Sequence, residues 1–364
     1  MLRQCATGRP APCRLILALS FLFSLSSESN AADMSFYAEK PPEVTEYYLG
    51  GAYWVFASGT ITANSGEELE RFLRLNKVPR ESHLAFNSPG GNVYGAMELG
   101  RVIRKWQLTV DIGERAGRPS PYRHSEVKRG YCYSACTIAY LGGYFRYNGS
   151  GSQYGVHRFS SRGFEGNEEI AQVVASSIAS YIIEMGGDVK LLELSSSVSK
   201  NDLHILSATE LSTLKIVNNG TLPVKWAYQN SGNVLYLKGE RDTQNGIQKI
   251  IFGCTENPKE LMSIMMFEAK QRERDIIQHQ AEQLRLDDRI IDIRPYRLNK
   301  NIVVNEYIQY AYNLPKNVIN AMLNAQEVSF LTKPKADSEI FFGFARLPFR
   351  EGAEKLKPIL SNCR

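Results

Sequence analysis

The chain has 364 residues, 43% of them hydrophobic and 22% charged, with 43 Lys and Arg against 38 Asp and Glu for a formal net charge of +5. That length more than fills one hydrophobic core, so two domains are expected, and so mild a charge balance implies no nucleic-acid partner. No apolar run approaches the roughly 20 residues a bilayer-crossing helix needs, which excludes a stable membrane span of that kind.

Arg3, Arg9 and Arg14 precede an apolar core from Leu15 to Leu25, and Ser29-Asn30-Ala31 supplies small residues for cleavage. Residues 1–31 therefore read as a secretory signal peptide, with a mature chain starting near Ala32. Its removal takes the net charge to about +3 and leaves Cys132, Cys136, Cys254 and Cys363. An even count in an oxidising compartment favours disulfides. Cys132 and Cys136 are followed by no second Cys or His pair at ligand spacing, so no metal is expected, and no cofactor.

Along the mature chain, Val55 to Ile61 reads as a strand, and Ser65 with Glu67 and Glu68 opens a helix through Leu75. Ser82 to Phe86 is a short apolar strand broken by Pro89-Gly90-Gly91. Gly95 to Trp106 has helical spacing, and Leu108 to Ile112 is again a strand. This alternation argues for a parallel sheet flanked by helices. Glu114 to Arg129 interrupts it with prolines, glycines and charges, as a lid or specificity loop would. Cys136 to Leu141 is a buried helix, Gln153 to His157 a short strand, and Glu168 to Met185 an amphipathic helix stopped by Gly186-Gly187.

Beyond Asn219 the texture changes. Lys225 to Lys238, Gly246 to Gly253, Arg289 to Arg294, Ile302 to Tyr310 and Glu339 to Phe344 are strand-like, Lys270 to Arg289 is highly charged, and Pro315 to Ala325 is a helix. The expected division is residues 1–31 as signal, 32–222 as an α/β domain of repeated β-α units, and 225–364 as a smaller β-rich or α+β accessory domain. A Cys254–Cys363 disulfide is expected to close the latter. Pairing of Cys132 with Cys136 requires the helix start between them to permit a Cα separation of about 4.4–6.8 Å.

The chemistry concentrates between Phe86 and Phe159. Asn87-Ser88-Pro89-Gly90-Gly91 ends a strand in a turn whose backbone N–H groups can approach a carbonyl oxygen, because glycine carries no side chain to block it. Ser134, within Cys132-Tyr133-Ser134-Ala135-Cys136, lies where a helix begins, so the N–H that follows faces the same point as its hydroxyl. His157 comes 23 positions later and can take the hydroxyl proton. Each motif alone also fits an ordinary turn, a packed small residue or a structural histidine. His124 and His204 are the other candidate bases.

Taken together, these motifs resemble the active-site order of the ClpP-like serine proteases, within the Clp peptidase and crotonase-like superfamily. The resemblance runs from about Val55 to Asn219, and its Cys-x-Ser-Ala-Cys is most similar to exported bacterial members of the predicted periplasmic type. It implies a ClpP/crotonase-like N-terminal fold, Ser134 as nucleophile, His157 as base, and Gly91 and Ala135 as oxyanion donors. The family places an aspartate three positions before the leucine of a Leu-Ser-Ala. Here Leu206-Ser207-Ala208 puts that position at Leu203, and the carboxylate, Asp202, lies one residue earlier. Asp202 is the expected orienter, with Asp188 as fallback. The implied function is a periplasmic serine peptidase acting on peptide or unfolded-protein substrates, with a homo-oligomer left open. The alternative is a catalytically inactive binding module on the same fold. A crotonase-type acyl-CoA enzyme is disfavoured, since an exported protein meets little CoA.

Overall fold

Apolar residues at the expected spacings build the first layers of this computed structural model, which describes residues 32–42, 51–119, 125–149, 151–159, 168–255 and 260–363. Residues 1–31, read above as a signal peptide, and His124 lie outside these described residues. Strands β1 (Ser35–Glu39), β2 (Trp54–Ser58), β3 (His83–Asn87) and β4 (Thr109–Ile112) form one sheet in that order. β1 is antiparallel to β2, whereas β2, β3 and β4 run parallel, as the strand-helix alternation expects. Helix α1 (Ser65–Leu75) has Glu67 and Glu68 in its first turn and Arg74 in its last, matching the helix dipole. Helix α2 (Val93–Lys105) begins where Asn92 accepts the Gly95 N–H at 2.8 Å. Its Ala96, Leu99, Gly100 and Ile103 form the buried stripe.

The segment before Ser134 forms a short antiparallel arm, β5 (Glu114–Ala116) with β6 (Glu126–Lys128). The arm is pinned to the end of β1, because Glu39 accepts from the Ser125 N–H at 2.9 Å and from Arg115 Nε at 2.5 Å. Next come β7 (Tyr131–Tyr133), the wholly buried helix α3 (Ala135–Leu141) and β8 (Gln153–Val156). After these follow α4 (Glu168–Glu184), α5 (Lys190–Ser197), β9 (His204–Ile205) and α6 (Ala208–Thr213). β7, β8 and β9 form a small sheet, parallel then antiparallel. Ser88 links it to β3: its N–H donates to Tyr131 O, and its carbonyl accepts from Tyr133 N.

The buried guanidinium of Arg146 and the half-buried one of Arg104 tie the helix ends behind this sheet together, and no carboxylate among the described residues hydrogen-bonds to either. Arg146 donates to the carbonyls of Leu141, Met185, Lys215 and Ile216 at 2.7–3.0 Å. Arg104 donates to those of Leu141, Gly142, Gly143 and Met185 at 3.0–3.2 Å. Carbonyls at helix C-termini carry partial negative charge, so they serve as counter-charge. Burial together with the neighbouring Arg104 pushes the Arg146 guanidinium down to about 10.

Residues 225–363 hold two antiparallel sheets. One orders β10 (Lys225–Ser231), β11 (Val234–Thr243), β12 (Gly246–Cys254), β13 (Leu261–Glu268), β17 (Tyr307–Asn313) and β16 (Ile302–Val304). The other orders β15 (Arg289–Asp292), β14 (Ala281–Leu286), β18 (Glu327–Lys333) and β19 (Phe342–Pro348). Helices α7 (Glu273–Ile276), α8 (Lys316–Asn324) and α9 (Arg350–Asn362) complete the elements. The single strand expected over 225–238 is instead a hairpin that turns at Gly232-Asn233, where Gly232 has φ +57° and Ser231 pairs with Val234. That over 302–310 likewise turns at Asn305, with φ +54°.

The buried apolar side chains fall into two clusters, one within residues 34–216 and the other within 226–359. Between them, Tyr144 donates its hydroxyl to Asp242, and the Leu222 N–H donates to the Asp242 carbonyl at 2.9 Å. Both cysteine pairs are bridged, each with a Cα separation of 5.2 Å: Cys132 to Cys136 and Cys254 to Cys363.

Candidate active site

The chain turns sharply from β7 into α3 at Ser134, whose backbone sits at φ +53°, ψ −126°. A residue bearing a side chain rarely adopts that conformation, and it persists only where the surroundings enforce it. The Ser134 N–H donates to Gly155 O on β8 at 3.0 Å, while Thr137 donates its N–H and its hydroxyl to Ser134 O at 2.9 and 2.6 Å.

The glycine turn packs directly on this corner. Gly90 has φ +100°, and a Cβ added there would lie 2.6 Å from Tyr133 O and 2.9 Å from both Ala135 N and Ser134 Cβ. No side chain fits, which accounts for the glycine. Gly91, at φ +141°, runs beside Ile61, with the Ile61 N–H bound to Gly90 O at 2.7 Å and the Asn92 N–H to Ile61 O at 2.8 Å. Among the described residues, neither the Gly91 N–H nor the Ala135 N–H meets an acceptor. Ala135 is fully buried, and a buried N–H without a partner is rare in folded proteins. The Ala135 N–H thus lies at the Ser134 corner, and the Gly91 N–H lies one residue beyond the Gly90 contact with that corner.

His157 follows directly on β8. It is two residues beyond Gly155, over which the side chains of Tyr133, Leu203 and Ile205 converge. The Nδ1 of His157 lies 3.0 Å from the carbonyl oxygen of Arg158. A carbonyl can only accept, so Nδ1 is the donor, and the neutral tautomer this bond selects has its lone pair on Nε2. Among the described residues no hydrogen bond joins Ser134 to His157.

The remaining candidates are placed differently. Asp202 is exposed in the coil before β9, and among the described residues its carboxylate makes no hydrogen bond. The β8–β9 register pairs Gly155 with Ile205 and Val156 with His204, and carried one step further it sets Leu203, not Asp202, across from His157. Asp188 accepts from the Lys190 N–H at 3.0 Å at the start of α5. His204 binds Glu210 through Nε2 at 2.8 Å. Hydrogen bonds from the Ser207 hydroxyl, the Ser207 N–H and His204 hold the Glu210 carboxyl down at about 2. Sequence reasoning missed the Arg158 carbonyl, for which no residue type is diagnostic.

No family model matches the chain, and no curated protein matches it. Among solved structures, a ClpP1 variant from Listeria monocytogenes is similar over 48% of this chain and 94% of its own length, at 19% identity and a TM-score of 0.34. A variant of the membrane-bound stomatin-specific protease 1510-N is similar over 45% of this chain and 75% of its own, at 17% identity and a TM-score of 0.33. Superpositions this loose assign no residue.

Proposed function

We propose that this chain is an exported serine peptidase acting on peptide or unfolded-protein segments, with Ser134 as nucleophile and His157 as base. The observation that carries the reading is the strained Ser134 corner, against which the glycine turn packs through Gly90; the N–H groups of Gly91 and Ala135, which meet no acceptor among the described residues, are assigned as the oxyanion donors. In this mechanism the Ser134 hydroxyl attacks the substrate carbonyl as His157 Nε2 accepts its proton. The developing oxyanion is received by the two N–H groups. Protonated His157 then gives its proton to the leaving amine, and water repeats the sequence on the acyl-enzyme. The Arg158 carbonyl fixes the tautomer, the role a carboxylate plays in a triad, so Asp202 is assigned no part. Serine–base hydrogen bonds in unliganded sites are often long and tighten with substrate. Two disulfides suit an oxidising compartment, which supports export to a periplasm. Among the described residues no helix is long and apolar enough to cross a membrane.

A catalytically silent binding module is the second reading, favoured because no carboxylate among the described residues hydrogen-bonds to His157. Hydrolysis of an unfolded protein substrate by the wild-type chain, lost in Ser134→Ala and in His157→Ala, is the expected result. Equal turnover by wild type and Ser134→Ala would leave the binding module standing.

A further inference from the structure

The bonds that hold Ser134 in its conformation divide into two sets. On the strand side, Tyr133 N–H binds Ser88 O and Ser134 N–H binds Gly155 O, both at 3.0 Å. On the helix side, Thr137 binds Ser134 O twice. The covalent tie from one side to the other is the Cys132–Cys136 disulfide, which closes a ring around Tyr133, Ser134 and Ala135. Both cysteines are fully buried.

The ring is small. A bridge between residues four apart removes little freedom from the unfolded chain compared with the Cys254–Cys363 bridge, which spans 109. Its return in global stability is correspondingly modest, whereas its local constraint falls on the strained corner and on the open Ala135 N–H.

We propose that the Cys132–Cys136 disulfide is a positioning element for Ser134, so that the competence of this nucleophile depends on the oxidised state of the pair. The proposal rests on the reading of Ser134 as nucleophile for its chemical consequence, but not for its effect on the backbone. Closing the bridge takes two protons and two electrons from two thiols and delivers them to a disulfide oxidant, which leaves as a dithiol. Dithiothreitol reverses this, restoring the thiols as it becomes a cyclic disulfide.

The test compares three bridge states. One is the oxidised wild type. The second is wild type reduced by dithiothreitol under denaturing conditions and refolded in its presence, which keeps the sulfur volume without the bond. The third is Cys132→Ala/Cys136→Ala. Cys254→Ala/Cys363→Ala serves as the control for loss of the other bridge. The readouts are the rate of fluorophosphonate labelling at Ser134 and hydrogen–deuterium exchange across 131–141. A displacement of about 1 Å in reacting groups costs on the order of 10²-fold in rate. Both forms lacking the Cys132–Cys136 bond are therefore expected to label at least about tenfold more slowly. Their exchange should be faster over 131–141 and unchanged over 83–112, while the control labels at the wild-type rate.

Wild-type labelling and exchange in the two bridge-free forms would overturn the proposal. So would a loss seen in the alanine variant but not in the reduced wild type, because sulfur packing rather than the bond would then be responsible. If Cys132→Ala/Cys136→Ala does not fold, the reduced wild type decides. If no form labels, the nucleophile reading fails and exchange alone decides: acceleration confined to 131–141 upholds the positioning role, and unchanged exchange overturns it.

Discussion

At the residue scale, the site depends on contacts too close to admit a side chain. Gly90→Ala would drive a methyl to 2.6 Å from the Tyr133 carbonyl at φ +100°, so it should cost at least about 2 kcal/mol in urea denaturation and abolish labelling of Ser134. Gly117 is the matched control. It also has positive φ, at +74°, but apart from its chain neighbours no heavy atom of the described residues lies within 4 Å of its Cβ position, and Gly117→Ala should cost only about 1 kcal/mol and leave labelling unchanged. The carboxylate question is settled by a pair of variants. Asp202→Asn should change the hydrolysis rate by less than about threefold, whereas loss of an orienting carboxylate costs on the order of 10⁴. Leu203→Asp places a carboxylate across from His157 and should raise the rate by about tenfold or more. Residue type and order singled out Ser134, His157 and the glycine turn, and the structure packs Gly90 of that turn against the Ser134 corner. The offset of Asp202 from Leu203 was readable too, but the placing of Leu203 across from His157 was not, because strand register is fixed by pairing with β8, and the Arg158 carbonyl belongs to the backbone, where no residue type announces it.

At the scale of elements, α6 carries a full capping box. Ser207 accepts the Glu210 N–H at 3.3 Å, and Glu210 accepts the Ser207 N–H at 2.8 Å. Because the folded-state carboxyl sits at about 2, below its ordinary value of 4.5, its stabilising contribution is complete above the ordinary value. That contribution fades as pH falls from about 4.5 toward about 2. Acid titration of unfolding should therefore be shallower over that window in Glu210→Gln than in wild type. Ser207→Ala should cost about 1 kcal/mol at neutral pH. The N-terminal elements followed their hydrophobic periods closely, with the first helix read over Ser65 to Leu75 as found. The C-terminal ones did not, for identifiable reasons. β14 lies in the charged stretch and points Glu282 inward, where Arg297 Nε and the Tyr312 hydroxyl donate to its Oε2. β13 is nearly all apolar and shows no alternation, although its burial alternates at every residue. α9 is largely polar and contains Pro358, which masks it as a helix.

At the scale of the whole molecule, the Cys254–Cys363 bridge ties the end of β12 to the end of α9 across 109 residues. Loop closure of that length is worth about 5 kcal/mol in the chain-entropy account. Cys254→Ala/Cys363→Ala should lose that much in chemical denaturation while keeping Ser134 reactive at temperatures where the protein stays folded. The central claim is that Ser134 is an activated nucleophile, and the most direct measurement is fluorophosphonate treatment of the folded, oxidised chain followed by intact-mass analysis and peptide mapping. The account predicts a single adduct on Ser134 that is lost in His157→Ala as well as in Ser134→Ala, since residues that act as a unit fail together. A folded wild-type chain that acquires no adduct, or one that carries it on another serine, would contradict it.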